Sequence, residues 1–315
     1  MRMRLTSAFA KATARPRRSA SREGGRCRSF ALVALTLALG CSNGGPPWAD
    51  ANRRVIEQNN VKGRTRDLPS VRVPITLADG VPVEAGTLAS VTIAPGVVAT
   101  LAWGRGALLE RVEMGANAVY ASQTLNEELI VVGREGSATI EFDGKTVQLS
   151  KDDVLYLQPG SVRTMKAGAA GWKAFEVYSP VRLDHLRLAG QDTSAANATF
   201  ADQGVSPSLP AGVVVNLNEI QWTPLIDPVA GKSYRRSTAN ARLIWGKNAQ
   251  ISLVRMDPDS TIGLHIHPED QLTHTIRGSL EQGVMDRTYP ASGAAGHVVY
   301  LPGGMVHSAK LGEFG

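Results

Sequence analysis

The chain has 315 residues, of which 43% are hydrophobic and 5% aromatic, and its formal net charge is +6. This length allows one to three domains. Residues 1–40 carry nine basic residues and one acidic residue, a charge of +8, which leaves a charge of −2 for the rest of the chain. The basic charge is therefore confined to the N-terminus, and the sequence argues against nucleic-acid binding by the folded part.

The N-terminus has the pattern of an export signal. Basic residues dominate residues 1–28, and residues 29–40 form an uncharged apolar run that is too short to span a bilayer. Residues 38–41, Ala-Leu-Gly-Cys, resemble a bacterial lipobox, in which the cysteine is lipidated after cleavage. The sequence thus predicts a signal peptide over residues 1–40, with cleavage before Cys41 and lipidation of Cys41.

This signal predicts a lipid-anchored protein of the bacterial cell envelope, periplasmic or associated with the outer membrane, with soluble secretion as the alternative. The lipid anchor would be its only attachment to the membrane. Residues 41–67 are predicted to form a tether and an N-terminal arm. Because Cys27 leaves with the signal and Cys41 would be acylated, no disulfide is expected in the mature protein.

The remainder of the chain favours an all-β fold built from small barrels. It is rich in glycine and proline, with 32 and 17 residues, and it contains short β-prone runs at residues 249–256 and 298–301.

An internal repeat divides this part of the chain in two. An offset of 142 residues aligns Trp103 with Trp245, Met114 with Met256 and Gly136 with Gly278, and a further shift of two aligns Val154 with Val298 and Gly160 with Gly304. The repeat predicts one domain over residues 68–190, a polar linker over residues 191–208 and a second domain over residues 209–315.

The second copy carries the residues that indicate chemistry. Side chains alternate between the faces of a strand, so His265, His267 and Gln271 are expected on one face, and a second strand can bring His307 to them. Three imidazoles and an amide oxygen suit one divalent transition metal, with Zn, Mn, Fe, Ni and Cu not distinguishable. Glu269 shares the strand parity of the histidines and is an alternative ligand to Gln271.

The first copy lacks these ligands. Gln123, Leu125, Leu129 and Arg163 stand at the positions of His265, His267, Gln271 and His307, and no histidine precedes His185. A structural role is favoured for this copy, with anion binding by an inward Arg163 as the alternative.

The motifs of the second copy resemble those of the cupin family, G-x5-H-x-H-x3 or 4-E-x6-G and G-x5-P-x-G-x2-H-x3-N. The sequence departs from that pattern at the first glycine (Gly263), at the glutamate position (Gln271) and at the asparagine position (Leu311). The resemblance implies a bicupin, two tandem jelly-roll barrels (double-stranded β-helices), in which the first barrel is degenerate and the second binds the metal.

The end of the second copy is expected to differ from that of the first. Gly315 aligns with Gly171, and the first copy continues through residues 172–180, which read as a closing strand. The second barrel is therefore predicted to be truncated at its C-terminus, or to receive this strand from another segment.

The ligand set favours Lewis-acid chemistry, because Gln271 is neutral and leaves the metal more positive than a glutamate would. The set is similar to that of three-histidine, one-glutamine cupins, which implies an isomerase or lyase acting on a small carboxylate such as a sugar acid. Thr273, Thr275 and Arg255 are candidates for the substrate pocket. A cupin dioxygenase, a non-catalytic envelope module that binds metal or ligand, and a truncated chain that holds no metal are the alternatives. A homo-oligomer is compatible with every reading.

Overall fold

The structure is a computed structural model. For residues 32–39 it describes the backbone only. It also describes residues 72–198, 204–227, 232–233, 239–258, 260–267 and 269–311. Within these ranges no helix has the length and apolar character needed to cross a membrane.

The first domain is a barrel of antiparallel strands. They alternate buried and exposed residues where one face meets solvent, and they bury nearly every residue where both faces are covered. The strands are β2 (Ser90–Ala94), β3 (Val97–Trp103), β4 (Leu108–Met114), β5 (Val119–Thr124), β6 (Glu128–Phe142), β7 (Lys145–Ser150), β8 (Asp153–Leu157) and β9 (Val162–Ser179).

Two long strands, β6 and β9, hold this barrel together. The first half of β6 pairs with the second half of β9, and the other halves pair with each other in the second layer, with register shifts near Gly133 and Gly136. The first half of β9 also pairs with β5, and its second half pairs with β4. A short helix, α1 (Leu183–Leu188), follows β9.

The second domain repeats this architecture in two sheets. One sheet has the order β11-β14-β15-β1-β17-β20 and the other the order β16-β21-β18-β19. The strands of these sheets are β1 (Leu32–Leu39), β11 (Thr223–Pro224), β14 (Asn240–Trp245), β15 (Gln250–Met256), β16 (Thr261–His265), β17 (Asp270–Thr275), β18 (Ser279–Val284), β19 (Arg287–Ser292), β20 (Val298–Leu301) and β21 (His307–Leu311). Three further strands lie outside them: β10 (Val214–Asn216), which joins the sheet of the first barrel, and β12 (Ile226–Asp227) and β13 (Lys232–Ser233), which pair with each other.

Two strands of the second barrel together take the position that β9 takes alone in the first. β21 pairs with β16 and β18, as the first half of β9 pairs with β5 and β6. β1 pairs with β15 and β17, as the second half of β9 pairs with β4 and β6. The apolar run that the sequence places in a signal peptide thus lies in the closing-strand position of the second barrel.

The barrels pack through a shared apolar layer. It joins Ile130 and Val177 of the first barrel to Ile251, Leu272 and Tyr300 of the second, all at most 1% exposed. Full burial of such side chains contributes about 2 kcal/mol each, so this layer is a major part of the fold's stability.

Each barrel also receives an arm that precedes the other in sequence. Val83, before the first barrel, bridges to Val298 of β20. β10, which the repeat assigns to the second domain, pairs with β8 of the first.

Two equivalent carboxylates fasten this interface. Asp270, at the start of β17, accepts hydrogen bonds from the backbone N–H of Arg105 (3.0 Å) in the first barrel and from the Tyr300 hydroxyl (2.9 Å). Glu128, at the start of β6, accepts bonds from the backbone N–H of residues 247, 248 and 249 in the second barrel. Both are buried, and these bonds compensate their desolvation.

Candidate metal centre

The three histidines of the predicted site lie at the ends of neighbouring strands. His265 is the last residue of β16, His307 is the first residue of β21, and these two face each other in the strand register. His267 follows two residues after β16. One ligand nitrogen from each of the three lies within 4.8 Å of those of the other two. The ring centroids of His265 and His307 are 4.1 Å apart.

Backbone carbonyls orient two of the imidazoles. Nδ1 of His265 donates to the carbonyl of Gly263 at 2.8 Å, and Nδ1 of His307 donates to the carbonyl of Met305 at 2.9 Å. Each bond makes Nδ1 the protonated nitrogen and leaves the ring's lone pair on Nε2, the arrangement found in metal-binding histidines. Nε2 of His307 is buried and has no hydrogen-bond partner among the described residues.

The site keeps His267 and His307 neutral. Burial, with a smaller contribution from His265, lowers the pKa of His267 to about 4. Burial and the two other imidazoles lower the pKa of His307 well below its ordinary value. Neutral imidazole is the form that binds metal, so the fold holds these ligands ready near neutral pH.

The turn that precedes His307 is fixed by contacts to the neighbouring loop. Gly304 has a φ of +81°, which glycine adopts without strain, and its N–H donates to the carbonyl of His267 at 2.6 Å. The N–H of Gly303 donates to Asp270 at 2.9 Å. These bonds tie the segment before His307 to the segment that carries His267.

Gln271 lies on β17, shortly after His267. Its Nε2 donates to Oγ1 of Thr273 at 2.9 Å, and its Oε1 is buried without a partner among the described residues. Leaving a buried acceptor unpaired costs about 1–3 kcal/mol. A cation bound at this position would remove that cost.

Three other predicted residues have separate outcomes. Glu269 does not belong to the cluster of ligand atoms that the three histidines form. Thr275 is buried on the face of β17 that also carries Gln271 and Thr273, and its hydroxyl has no partner in the described part of the chain. Cys41, the predicted lipidation site, lies outside the described residues.

The structure places Arg255, one of the predicted pocket residues, on the outside of the second barrel. Arg255 is exposed, and it lies on the opposite face of β15 from Val254 and Met256, which pack in the core of the second barrel. Alternation along the strand turns its guanidinium away from the histidines.

His274 lies on the outer face of β17, as the strand parity predicts, but it is not a surface residue. Its ring packs edge to face against Phe175 of the first barrel, with centroids 5.3 Å apart. A cleft of about 550 Å³ between the barrels is lined by His274 together with Arg111 and Arg134. Strand parity alone does not indicate that the first barrel covers this face.

The corresponding position in the first barrel is filled by an ion pair. Arg163 donates to both carboxylate oxygens of Glu176, at 3.1 and 2.8 Å, and both side chains are almost completely buried. Burial alone would raise the pKa of Glu176, but the Arg163 guanidinium outweighs it and holds the pKa below its ordinary value. Gln123 accepts a bond from Arg182, and Leu125 and Leu129 lie in the apolar core.

Sequence reasoning identified Arg163 as inward but missed the network around it. Tyr178 donates to Glu176, and His185 lies between Glu110 and Tyr120. The inward parity of Glu176 and Tyr178 along β9 was the available signal. Because Glu176 already neutralises Arg163, the structure favours the structural role of this barrel over anion binding.

Comparison with known proteins gives a likeness of fold. No family model matches the chain, and no curated protein matches it. A single-residue variant of oxalate decarboxylase from Bacillus subtilis matches with a TM-score of 0.52 and 14% identity, over 80% of this chain and 84% of the other. A second structure, described by the Mn(II) centres of Bacillus subtilis oxalate decarboxylase, matches with a TM-score of 0.51 and 15% identity, over 81% and 84%. The formate complex of Lactobacillus farciminis oxalate decarboxylase matches with a TM-score of 0.50 and 14% identity, over 76% and 84%.

The prediction of a fold of two tandem jelly-roll barrels is confirmed.

Proposed function

From this bicupin fold and its three-histidine cluster, we propose that the second barrel is a mononuclear metal enzyme that uses Lewis-acid chemistry on a small carboxylate. His265, His267, His307 and Gln271 would hold one divalent transition metal. The observation that carries the proposal is the cluster of three imidazoles, in which Nε2 of His307 is buried and unpartnered among the described residues. The buried, unpartnered Oε1 of Gln271 supports its choice as the fourth ligand.

The donor set determines the class of reaction that we favour. All four donors are neutral, so a bound divalent ion would keep its charge, attract a carboxylate and polarise an adjacent carbonyl or hydroxyl. No carboxylate of the described residues joins the histidine cluster and reduces that charge. This favours isomerisation or elimination over oxygen activation.

The chain's own residues would prepare the site for this chemistry. Backbone carbonyls hold the rings of His265 and His307, and Thr273 holds the amide of Gln271. Ligands that are oriented before the metal binds need no rearrangement when it arrives. The solved structures add support for the substrate class, since their names specify oxalate decarboxylases, one with Mn(II) centres and one with formate bound. A sugar acid is our first choice of substrate within this class.

Elemental analysis of the purified full chain tests the metal. We expect one metal ion per chain, a loss in the double variant His265→Ala, His307→Ala, and full retention in His297→Ala. His297 is the matched control because its Nδ1 accepts a bond from the backbone N–H of Ser292, outside the cluster. Equal metal content in all three proteins would refute the site.

A substrate screen then tests the reaction. The metal-loaded chain is incubated with a panel of small carboxylates, sugar acids and oxalate included, with and without dioxygen. Turnover that is independent of dioxygen and lost in His307→Ala supports the proposal. Turnover that requires dioxygen would assign the site to the dioxygenases, and metal retention without turnover on any member would favour a binding module.

A further inference from the structure

Strand β1 occupies a defined position in the second barrel. It lies antiparallel between β15 and β17 and joins the strands β11-β14-β15 to the strands β17-β20 in one sheet. Without a strand in this position, β15 and β17 would each expose a row of unpaired backbone groups. The sheet that carries Gln271 would then be split.

The register of β1 repeats that of the first barrel. Tyr178 of β9 lies opposite Leu108 on one side and Leu129 on the other. In the second barrel Ala38 lies opposite Gln250 and Gln271. The partners on both sides are related by the same 142-residue offset as the sequence repeat. A segment that merely covered an apolar surface would have no reason to adopt this register on both edges.

The composition of the segment suits this position. Residues 32–39 read Leu-Val-Ala-Leu-Thr-Leu-Ala-Leu, an uncharged run without glycine or proline. A strand that pairs on both edges needs a run without proline, because a proline would remove a ladder hydrogen bond.

We infer that Leu32–Leu39 is the strand that completes the metal-binding barrel, and that the folded protein keeps this segment. The inference does not depend on the proposed reaction. It has a consequence for the site, because Ala38 and Thr36 lie directly opposite Gln271 and Thr273. The segment would thereby fix the backbone of the strand that carries a candidate ligand.

This role excludes the predicted signal peptide in the same molecule. Cleavage before Cys41 would remove β1, and membrane insertion of the apolar run would withdraw it from the barrel. Mass spectrometry of the folded protein, produced from the complete chain, distinguishes the two fates. Retention of residues 32–39 supports the inference, whereas a mature N-terminus at Cys41 would overturn it and support the signal peptide.

Disulfide trapping tests the register on each side. In a full chain with Cys27→Ser and Cys41→Ser, the pair Thr36→Cys with Ser252→Cys reports on β15, and the pair Ala34→Cys with Thr275→Cys reports on β17. Directly opposite residues of antiparallel strands have Cα atoms about 4.5–5.5 Å apart, which suits a disulfide. The matched control is Thr36→Cys with Leu253→Cys, one residue out of register and on the opposite face.

We expect both registered pairs to form at least about tenfold more intrachain disulfide than the control. The protein must be folded in this assay, which amide protection in the first barrel verifies. Absence of both intrachain bonds in the folded protein would overturn the inference. A disulfide between two chains would overturn the intrachain form and show that a second copy supplies the strand.

A proline substitution gives an independent readout. Thr36→Pro removes a backbone donor from β1, so amide protection in β15 and β17 should fall about tenfold or more while the first barrel keeps its protection. Ala20→Pro, outside β1, is the control. Unchanged protection of β15 and β17 in Thr36→Pro would contradict a constitutive strand.

Discussion

Gln271 donates a hydrogen bond of 2.9 Å from Nε2 to Oγ1 of Thr273, and its Oε1 remains buried without a partner among the described residues. An amide can present either its oxygen or its nitrogen to a site, and only the oxygen binds a cation. In the orientation that the structure shows, the bond to the Thr273 hydroxyl engages the nitrogen and leaves the oxygen available as a ligand.

Replacing that hydroxyl should weaken metal binding. Thr273→Val keeps the shape of the side chain but removes the acceptor that orients Gln271, so the metal affinity of the full chain should fall about tenfold. The control is Thr275→Val, on the same face of the same strand, whose hydroxyl has no partner in the described structure. Calorimetric titration of Mn²⁺ or Zn²⁺ into metal-free protein measures both, and equal affinities for the two variants would contradict this role of Thr273.

Changing the charge of the fourth ligand should separate binding from reaction. Gln271→Glu supplies an anionic donor, so metal affinity should rise while the polarising charge falls. We expect tighter metal binding together with a kcat on the small carboxylate that is about one tenth of the parent value or less. Steady-state kinetics at saturating metal measure this, with Gln271→Leu as the companion variant that should lose affinity. A Gln271→Glu variant with unchanged kcat would argue against Lewis-acid chemistry at this site.

The two interface carboxylates should have different effects on the site. Asp270→Asn removes a charged acceptor from the N–H groups of Arg105 and Gly303 and from the Tyr300 hydroxyl, which should lower the free energy of unfolding by about 2–3 kcal/mol. Because Gly303 lies in the turn before His307, metal affinity should also fall severalfold.

Glu128→Gln is the matched control for that change. Its partners, residues 247–249, lie in the turn before β15, which carries none of the candidate metal ligands. It should destabilise the protein to a similar degree and leave metal affinity unchanged. Denaturant unfolding and metal titration of both variants test the distinction, and equal metal affinities would show that Asp270 does not position the turn.

The buried ion pair in the first barrel should contribute more to the free energy of unfolding than an exposed pair does. Arg163→Met leaves Glu176 buried without its countercharge and should cost about 3–5 kcal/mol of unfolding free energy. The double variant Arg163→Met, Glu176→Leu should recover part of this loss, because no unpaired carboxylate remains buried. Lys173→Met, which breaks the solvent-exposed pair with Glu135, should cause no measurable loss. Denaturant unfolding of the three variants decides, and a single variant as stable as the double would contradict the argument.

Motif spacing predicted more of this molecule than composition did. The spacing of His265, His267 and His307 placed the histidine cluster correctly, because alternation along strands fixes which side chains share a face. The 142-residue offset, with the further shift of two, likewise located the first-barrel equivalents of all four candidate ligands. These patterns could not give what covers the outer faces on which Arg255 and His274 lie. Alternation along the strand shows which face each side chain occupies. Whether solvent or the other barrel contacts that face depends on packing between the domains.

The closing strand shows a different limit of sequence reasoning. The offset predicted that the second barrel needed a strand equivalent to residues 172–180, but not which segment would provide it. Residues 29–40 have the apolar character of a signal core, and a strand buried on both faces requires the same character. Composition cannot separate the two roles, and our inference for the strand is based on the pairing of β1 with β15 and β17.

The burial of His274 predicts how stability depends on pH. Burial, aided by the Arg111 and Arg134 guanidinium groups, lowers the pKa of His274 to about 4, whereas the unfolded chain should have the ordinary value near 6.5. Between these values the unfolded state binds the proton and the folded state does not. The stabilising contribution is therefore complete above about pH 6.5 and is lost as the pH falls toward 4, by up to about 3 kcal/mol.

The variant His274→Asn isolates this contribution, because it retains a polar side chain of similar size that does not titrate. Unfolding free energies of the full chain and of the variant are compared at pH 7.5 and pH 5. Lowering the pH from 7.5 to 5 should reduce the unfolding free energy of the parent more than that of the variant. Only the parent has to exclude a proton from the interface with Phe175. Parallel pH profiles would mean that His274 takes up its proton in the folded state, and that the cleft beside Arg111 and Arg134 admits enough water to solvate it.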